Sequence, residues 1–173
     1  MALNADKKYG FIIAEDGMPK KTEGRGDFLV ESTKQALSYL TSKENGFFLL
    51  IEGSQIDWGG HDNDAEYLIN EVKDFDKVIG AALDFAKIDQ NTLIIVTADH
   101  ETGGFTLSSS KKLDKNGTTI NDYNTLDPSF STKGHSSALI PVFAYGPGSE
   151  EFSGIYENTE IFNKIINSLK LKN

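Results

Sequence analysis

With 173 residues, 38% apolar and 25% charged, the chain has the size and composition of a single globular domain, 1–173, able to bury its own core. A net charge of −9, with basic residues only as isolated lysine pairs, argues against nucleic-acid and anionic-membrane partners. The lack of cysteine excludes disulfides and thiolate zinc sites. No apolar run is long enough to cross a bilayer, and the opening MALNADKKYG lacks the apolar core of a signal peptide.

Residues 1–9 are polar and are expected to fray, after which 9–14 (YGFIIA) read as a short strand closed by Glu15-Asp16-Gly17 and a Met18-Pro19 turn. A charged, glycine-containing loop covers 20–26. Asp27 is placed to cap a helix running to about Leu40, with Leu29, Thr33, Ala36, Leu37 and Leu40 on one face. Asn45-Gly46 ends that unit. The apolar run 47–51 (FFLLI) predicts a buried strand of a parallel sheet that stops at Glu52, and Asp57 and His61 follow across a glycine-rich turn.

Asp62-Asn63-Asp64 then offers helix caps. Ala65, Leu68, Ile69, Val72, Phe75, Ile79, Ala82, Leu83 and Ala86 recur at threes and fours, predicting one long helix. Asp89-Gln90-Asn91 breaks it, and 92–97 (TLIIVT) form a second buried strand ending at Asp99-His100. A short strand is expected at 105–107. Residues 108–134, rich in Ser, Lys, Asn and Asp with turn signals at Asn116-Gly117 and Asp127-Pro128, predict a long surface loop, hairpin or insertion. His135 precedes a third apolar strand, 138–145, which Pro141 makes an edge or irregular one, and Gly146-Pro147-Gly148 closes it. Asn158 caps a final helix with Ile161, Ile165 and Leu169 on one face. Apolar strands alternating with helices give an α/β layered sheet.

In open α/β sheets, ligands bind at the carboxyl ends of the strands. All three histidines of the chain, His61, His100 and His135, lie in polar stretches that border a predicted buried strand, beside an acid or a glycine-rich turn. Asp57 and His61 are spaced so that one helical turn or a tight loop aims both at one point. An isolated Asp-His pair is usually a cap or a surface feature. The joint placement of every histidine beside carboxylates points instead to bound metal, which would also reverse the local sign of an acidic protein toward phosphate.

Three motifs in order make the reading specific: Glu52-Gly53-Ser54-Gln55-Ile56-Asp57-Trp58-Gly59-Gly60-His61, then Thr97-Ala98-Asp99-His100-Glu101-Thr102-Gly103-Gly104, then Gly134-His135-Ser136. This set resembles the alkaline phosphatases, from about Asp27 to the C-terminus. The resemblance implies a three-layer αβα sandwich around a mostly parallel sheet, incomplete here, and a phosphomonoester hydrolase using two Zn²⁺ and one Mg²⁺. It assigns Asp57, His61 and His135 to one zinc, Asp99 and His100 to a second, and Glu52 to the magnesium. It further implies a phosphate monoester as substrate, a periplasmic or extracellular parent protein, and a homodimer or self-association through an exposed face. Related phosphodiesterases and cofactor-independent phosphoglycerate mutases fit the Glu52-x4-Asp57-x3-His61 spacing and the Glu101-Thr102-Gly103-Gly104 tail less well. A non-catalytic metal-binding module is the reading from another class.

The resemblance covers only the family's C-terminal part. No stretch matches the nucleophilic serine, the aspartate shared by the second zinc and the magnesium, or the phosphate-gripping arginine, and the sole arginine, Arg25, sits in a glycine-rich loop. Phosphate monoester hydrolysis can demand accelerations approaching roughly 10²¹-fold. The 173 residues alone are therefore expected to show at most trace phosphatase activity.

Overall fold

The fold is laid along one helix of 25 residues, Ala65–Asp89 (α3), in a computed structural model that describes Asn4 and residues 7–170. Asp64 starts it in extended backbone, its carboxylate accepting the Tyr67 N–H at 3.0 Å and so satisfying one of the open first-turn donors. Gln90, at φ 60°, ends it in the left-handed conformation. Two further helices, Phe28–Leu40 (α1) and Gln55–Asp62 (α2), lie against α3.

The buried side of α3 differs from the apolar stripe expected. Tyr67, Leu68, Glu71, Asp74, Val78 and Ala86 are buried, whereas Val72 is 45% exposed. The cause is a polar clamp from the 20–26 loop. The Arg25 guanidinium bonds the Glu71 carboxylate and lies 3.0 Å from Asp74, whose other oxygen is 2.7 Å from Lys21 Nζ. The Lys21 backbone N–H also donates to Glu71 at 2.7 Å. Carboxylates this deep persist only when paired.

Asp27 stands at the start of α1 as expected, but its carboxylate does not cap the helix. It accepts instead from Lys21 at 3.0 Å and Lys77 at 3.1 Å, and these two cations hold its pKa below the ordinary range. Helix α1 buries Val30, Thr33 and Leu37 against α3.

The strands form three two-stranded antiparallel ladders. Ile94–Val96 (β1) pairs with Phe143–Tyr145 (β6), and Glu101–Thr102 (β2) pairs with His135–Ser136 (β5) so that Thr102 faces His135. Thr106–Leu113 (β3) and Thr119–Ser129 (β4) make a hairpin with an irregularity at Ser109/Ser110. The α/β class holds in incomplete form, while parallel pairing is not made among the described residues. Segment 47–51 joins no ladder, although it keeps a strand's alternation, with Phe48 60% and Leu50 79% exposed between half-buried neighbours. Residues 9–14 likewise form no strand, and Ile12 is 97% exposed. Without a lateral neighbour an apolar run has no ladder to satisfy its backbone.

Asp127-Pro128 lies inside β4 and not in a turn, with Pro128 opposite Leu107 at a sheet edge that tolerates its missing N–H. The final helix is Glu160–Ser168 (α4), with Thr159 rather than Asn158 at its cap; Ile161 and Ile165 are half-buried and Leu169 is 40% exposed. Segment 46–51, β1, α4 and the Phe75, Ile79 and Ala82 side of α3 enclose an open apolar groove of about 790 Å³. No described helix is long and apolar enough to cross a membrane.

Candidate metal centre

The stretch read as a glycine-rich turn is helix α2, and its glycines explain why it can sit where it does. A Cβ on Gly59 would come within 2.8 Å of the Leu68 backbone, and one on Gly60 within 2.8 Å of the Thr102 carbonyl oxygen. Bare backbone at these two positions lets α2 press directly onto α3 and β2. Asp57 and His61, one turn apart on α2, then share one side of the helix, with His61 Nε2 3.4 Å from Asp57 Oδ1.

The second wall comes from the β2–β5 pair and its flanks. His135 Nε2 lies 3.3 Å from His61 Nε2 and 3.8 Å from Asp57 Oδ1. The His100 ring stacks on that of His135, with centroids 3.5 Å apart, and His100 Nε2 is 3.2 Å from Asp99 Oδ2. One ligand atom each from Asp57, His100 and His135 lies within 4.8 Å of the other two. The groups are open to solvent, from 30% exposed at His100 to 82% at Asp99, so a small molecule has access.

The tautomers follow from the partners. His61 Nδ1 is 2.6 Å from the Lys133 carbonyl oxygen, which can only accept, so Nδ1 carries the proton and Nε2 presents a lone pair to the cluster. Ligand-type nitrogen and oxygen atoms of imidazole and carboxylate thus converge on one small volume. That is a donor set for a cation, and its nitrogen and oxygen composition suits Zn²⁺. Metal-bound histidines characteristically donate their other ring N–H to a carbonyl or carboxylate, as His61 does here.

Of the six residues singled out from sequence, the structure gathers Asp57, His61, His100 and His135, with Asp99 at the margin through His100. Glu52, exposed ahead of α2, is not among the described groups brought to the cluster. Sequence reasoning missed three supports. Thr102 is buried, donates its hydroxyl to Asp57 Oδ1 and lies 3.2 Å from His100 Nδ1. Lys133 contributes a carbonyl rather than its charge. Glu101 accepts the N–H groups of Gly104 and Phe105 and the Ser136 hydroxyl. Burial opposes the Glu101 charge, but those hydrogen bonds and nearby His135 outweigh it and hold its pKa below the ordinary glutamate range.

Known proteins resemble this chain over most of its length. The family model for alkaline phosphatase matches residues 7–128. Alkaline phosphatase 3 of Bacillus subtilis is 30% identical over 98% of this chain and 50% of its own length, and alkaline phosphatase 4 of the same organism is 32% identical over 96% and 49%. The structure of alkaline phosphatase from the Antarctic bacterium TAB5 superposes with a TM-score of 0.87 at 56% identity, covering 95% of this chain and 47% of that one. A variant of that enzyme, solved with Mg bound in its M3 site, gives 0.88 at 57%, with the same coverage. The chain thus spans about half the length of the relatives it matches. It belongs to the alkaline phosphatase family.

Proposed function

We propose that this chain carries the histidine-rich metal centre of a phosphomonoester hydrolase of the alkaline phosphatase type. The observation that supports it is the convergence of Asp57, His61 and His135, with ligand-type atoms 3.3 to 3.8 Å apart, and of His100, whose ligand atom lies within 4.8 Å of those of Asp57 and His135, in a chain of that family. In this reading Asp57, His61 and His135 hold one zinc, His100 with Asp99 contributes to a second, and Glu52 serves magnesium. Ions held there would supply Lewis-acid polarisation of a phosphate ester and a water of lowered pKa.

The rest is what these side chains do. His61, with Nδ1–H fixed on the Lys133 carbonyl, keeps Nε2 as a donor of electrons and not of a proton. His135 is set by the β2–β5 pair, and its stacking on His100 links the two proposed zinc positions. Arg25 is not available to grip phosphate, because Glu71 and Asp74 occupy its guanidinium and its side chain is only 6% exposed. The substrate is a phosphate monoester, the parent protein acts in the periplasm or outside the cell, and the apolar groove favours self-association.

Turnover of an aryl phosphate, measured in the protein's natural full-length context with zinc and magnesium supplied, tests the reading. Activity that a chelator removes and zinc restores, and that Asp57→Asn and His135→Ala abolish, is expected. Undiminished turnover in either variant would contradict it.

A further inference from the structure

We propose that Thr102 is a positioning residue that ties the two proposed zinc positions together, orienting the Asp57 carboxylate and the His100 imidazole with a single hydroxyl. The inference rests on the metal reading given above. A threonine hydroxyl has one proton to donate and lone pairs with which to accept. Its proton goes to Asp57 Oδ1, an acceptor when ionised. The Oγ1 atom can then meet His100 Nδ1, 3.2 Å away, only by accepting from it. That contact places the proton on Nδ1 and leaves Nε2 of His100 as a lone pair on the side where Asp99 Oδ2 stands 3.2 Å away. One hydroxyl thus selects the metal-binding tautomer on one ligand and aims the carboxylate of the other.

The surroundings hold that hydroxyl still. Thr102 is only 8% exposed and sits in β2, its backbone registered against His135. Its methyl group lies against α2 at Gly60, where an added Cβ would stand 3.0 Å from Thr102 Cγ2. A β-branched side chain gripped through its methyl has little χ1 freedom, so Oγ1 has one place to be. Asp57 comes from α2 and His100 from the position just before β2; the Thr102 hydroxyl lies within hydrogen-bond reach of both. Supports of this kind typically alter metal affinity by roughly 10- to 100-fold.

Two variants separate hydroxyl from shape. Thr102→Val keeps the branched outline and loses the hydroxyl; Thr102→Ser keeps the hydroxyl and loses the methyl. In calorimetric titration of the 173-residue chain with Zn²⁺ alone, Thr102→Val is expected to bind at least ~10-fold more weakly than the parent, and Thr102→Ser within ~3-fold of it. Equal affinity in Thr102→Val and the parent, or equal weakening in both variants, would overturn the proposal. Nitrogen-15 spectra of the imidazoles in the metal-free parent provide a reading that needs no variant and no zinc binding. The His100 proton is expected on Nδ1, and a proton on Nε2 would overturn the proposal even if zinc binds. A parent chain that binds no zinc yet shows the Nδ1 tautomer would count against the metal reading and leave the role of the Thr102 hydroxyl supported.

Discussion

Gly60 shows how closely the centre depends on single atoms. Its Cα is where α2 meets β2, and a methyl group there would lie 2.8 Å from a backbone oxygen that cannot swing aside. Gly60→Ala should destabilise the chain by about 1–3 kcal/mol, as forced overpacking does, and should push Thr102 and Asp57 apart. Thermal unfolding checks the first effect and zinc affinity the second. A variant as stable as the parent would show that the two elements can separate without cost. Sequence singled out the candidate ligands because histidine is rare here and every copy stands beside a carboxylate or a glycine-rich turn. It did not disclose Thr102 or the Lys133 carbonyl, since a threonine and a peptide oxygen carry no mark of a function that exists only once α2, β2 and the 130–135 segment meet.

Among the elements, α3 was the most legible, because its apolar positions recur over many turns and Asp64 caps it as the pattern predicts. What sequence could not show was which side would be sealed. Glu71 and Asp74 lie off the apolar repeat, and their burial is tolerable only because Arg25 and Lys21 reach them from nearly fifty residues earlier. Arg25→Met should cost about 3–5 kcal/mol by leaving Glu71 and Asp74 without their buried counter-charge, which chemical denaturation would measure. A loss under 1 kcal/mol would mean that Lys21 and water suffice. Burial also raises the pKa of neighbouring Tyr67 to about 12, helped by the charge of Glu71. Its neutral hydroxyl is thereby kept as the donor to Gln55 at the start of α2. The clamp on α3 and the helix that carries Asp57 are in this way parts of one packed unit. The strands were less legible. An apolar run such as 47–51 announces a strand, but a ladder needs a neighbour, and no sequence pattern names one.

At the scale of the whole molecule, the chain exposes an apolar groove of about 790 Å³ bordered by a segment that pairs with nothing among the described residues and by β1. Open edges beside apolar surface recruit further strands. The chain should therefore self-associate, its mass by light scattering rising with concentration; a monomeric mass throughout the micromolar range would contradict this. The centre itself is assembled from α2, the β2–β5 pair and the two residues just before β2, all within these residues, so metal binding should be a property of this chain. Zinc titration of the parent and of His135→Ala tests that most directly. One tightly bound zinc per chain that the variant loses is expected, because the His135 side chain meets His61, Asp57 and the His100 ring. Zinc binding of equal strength in the variant, or none in the parent, would contradict it.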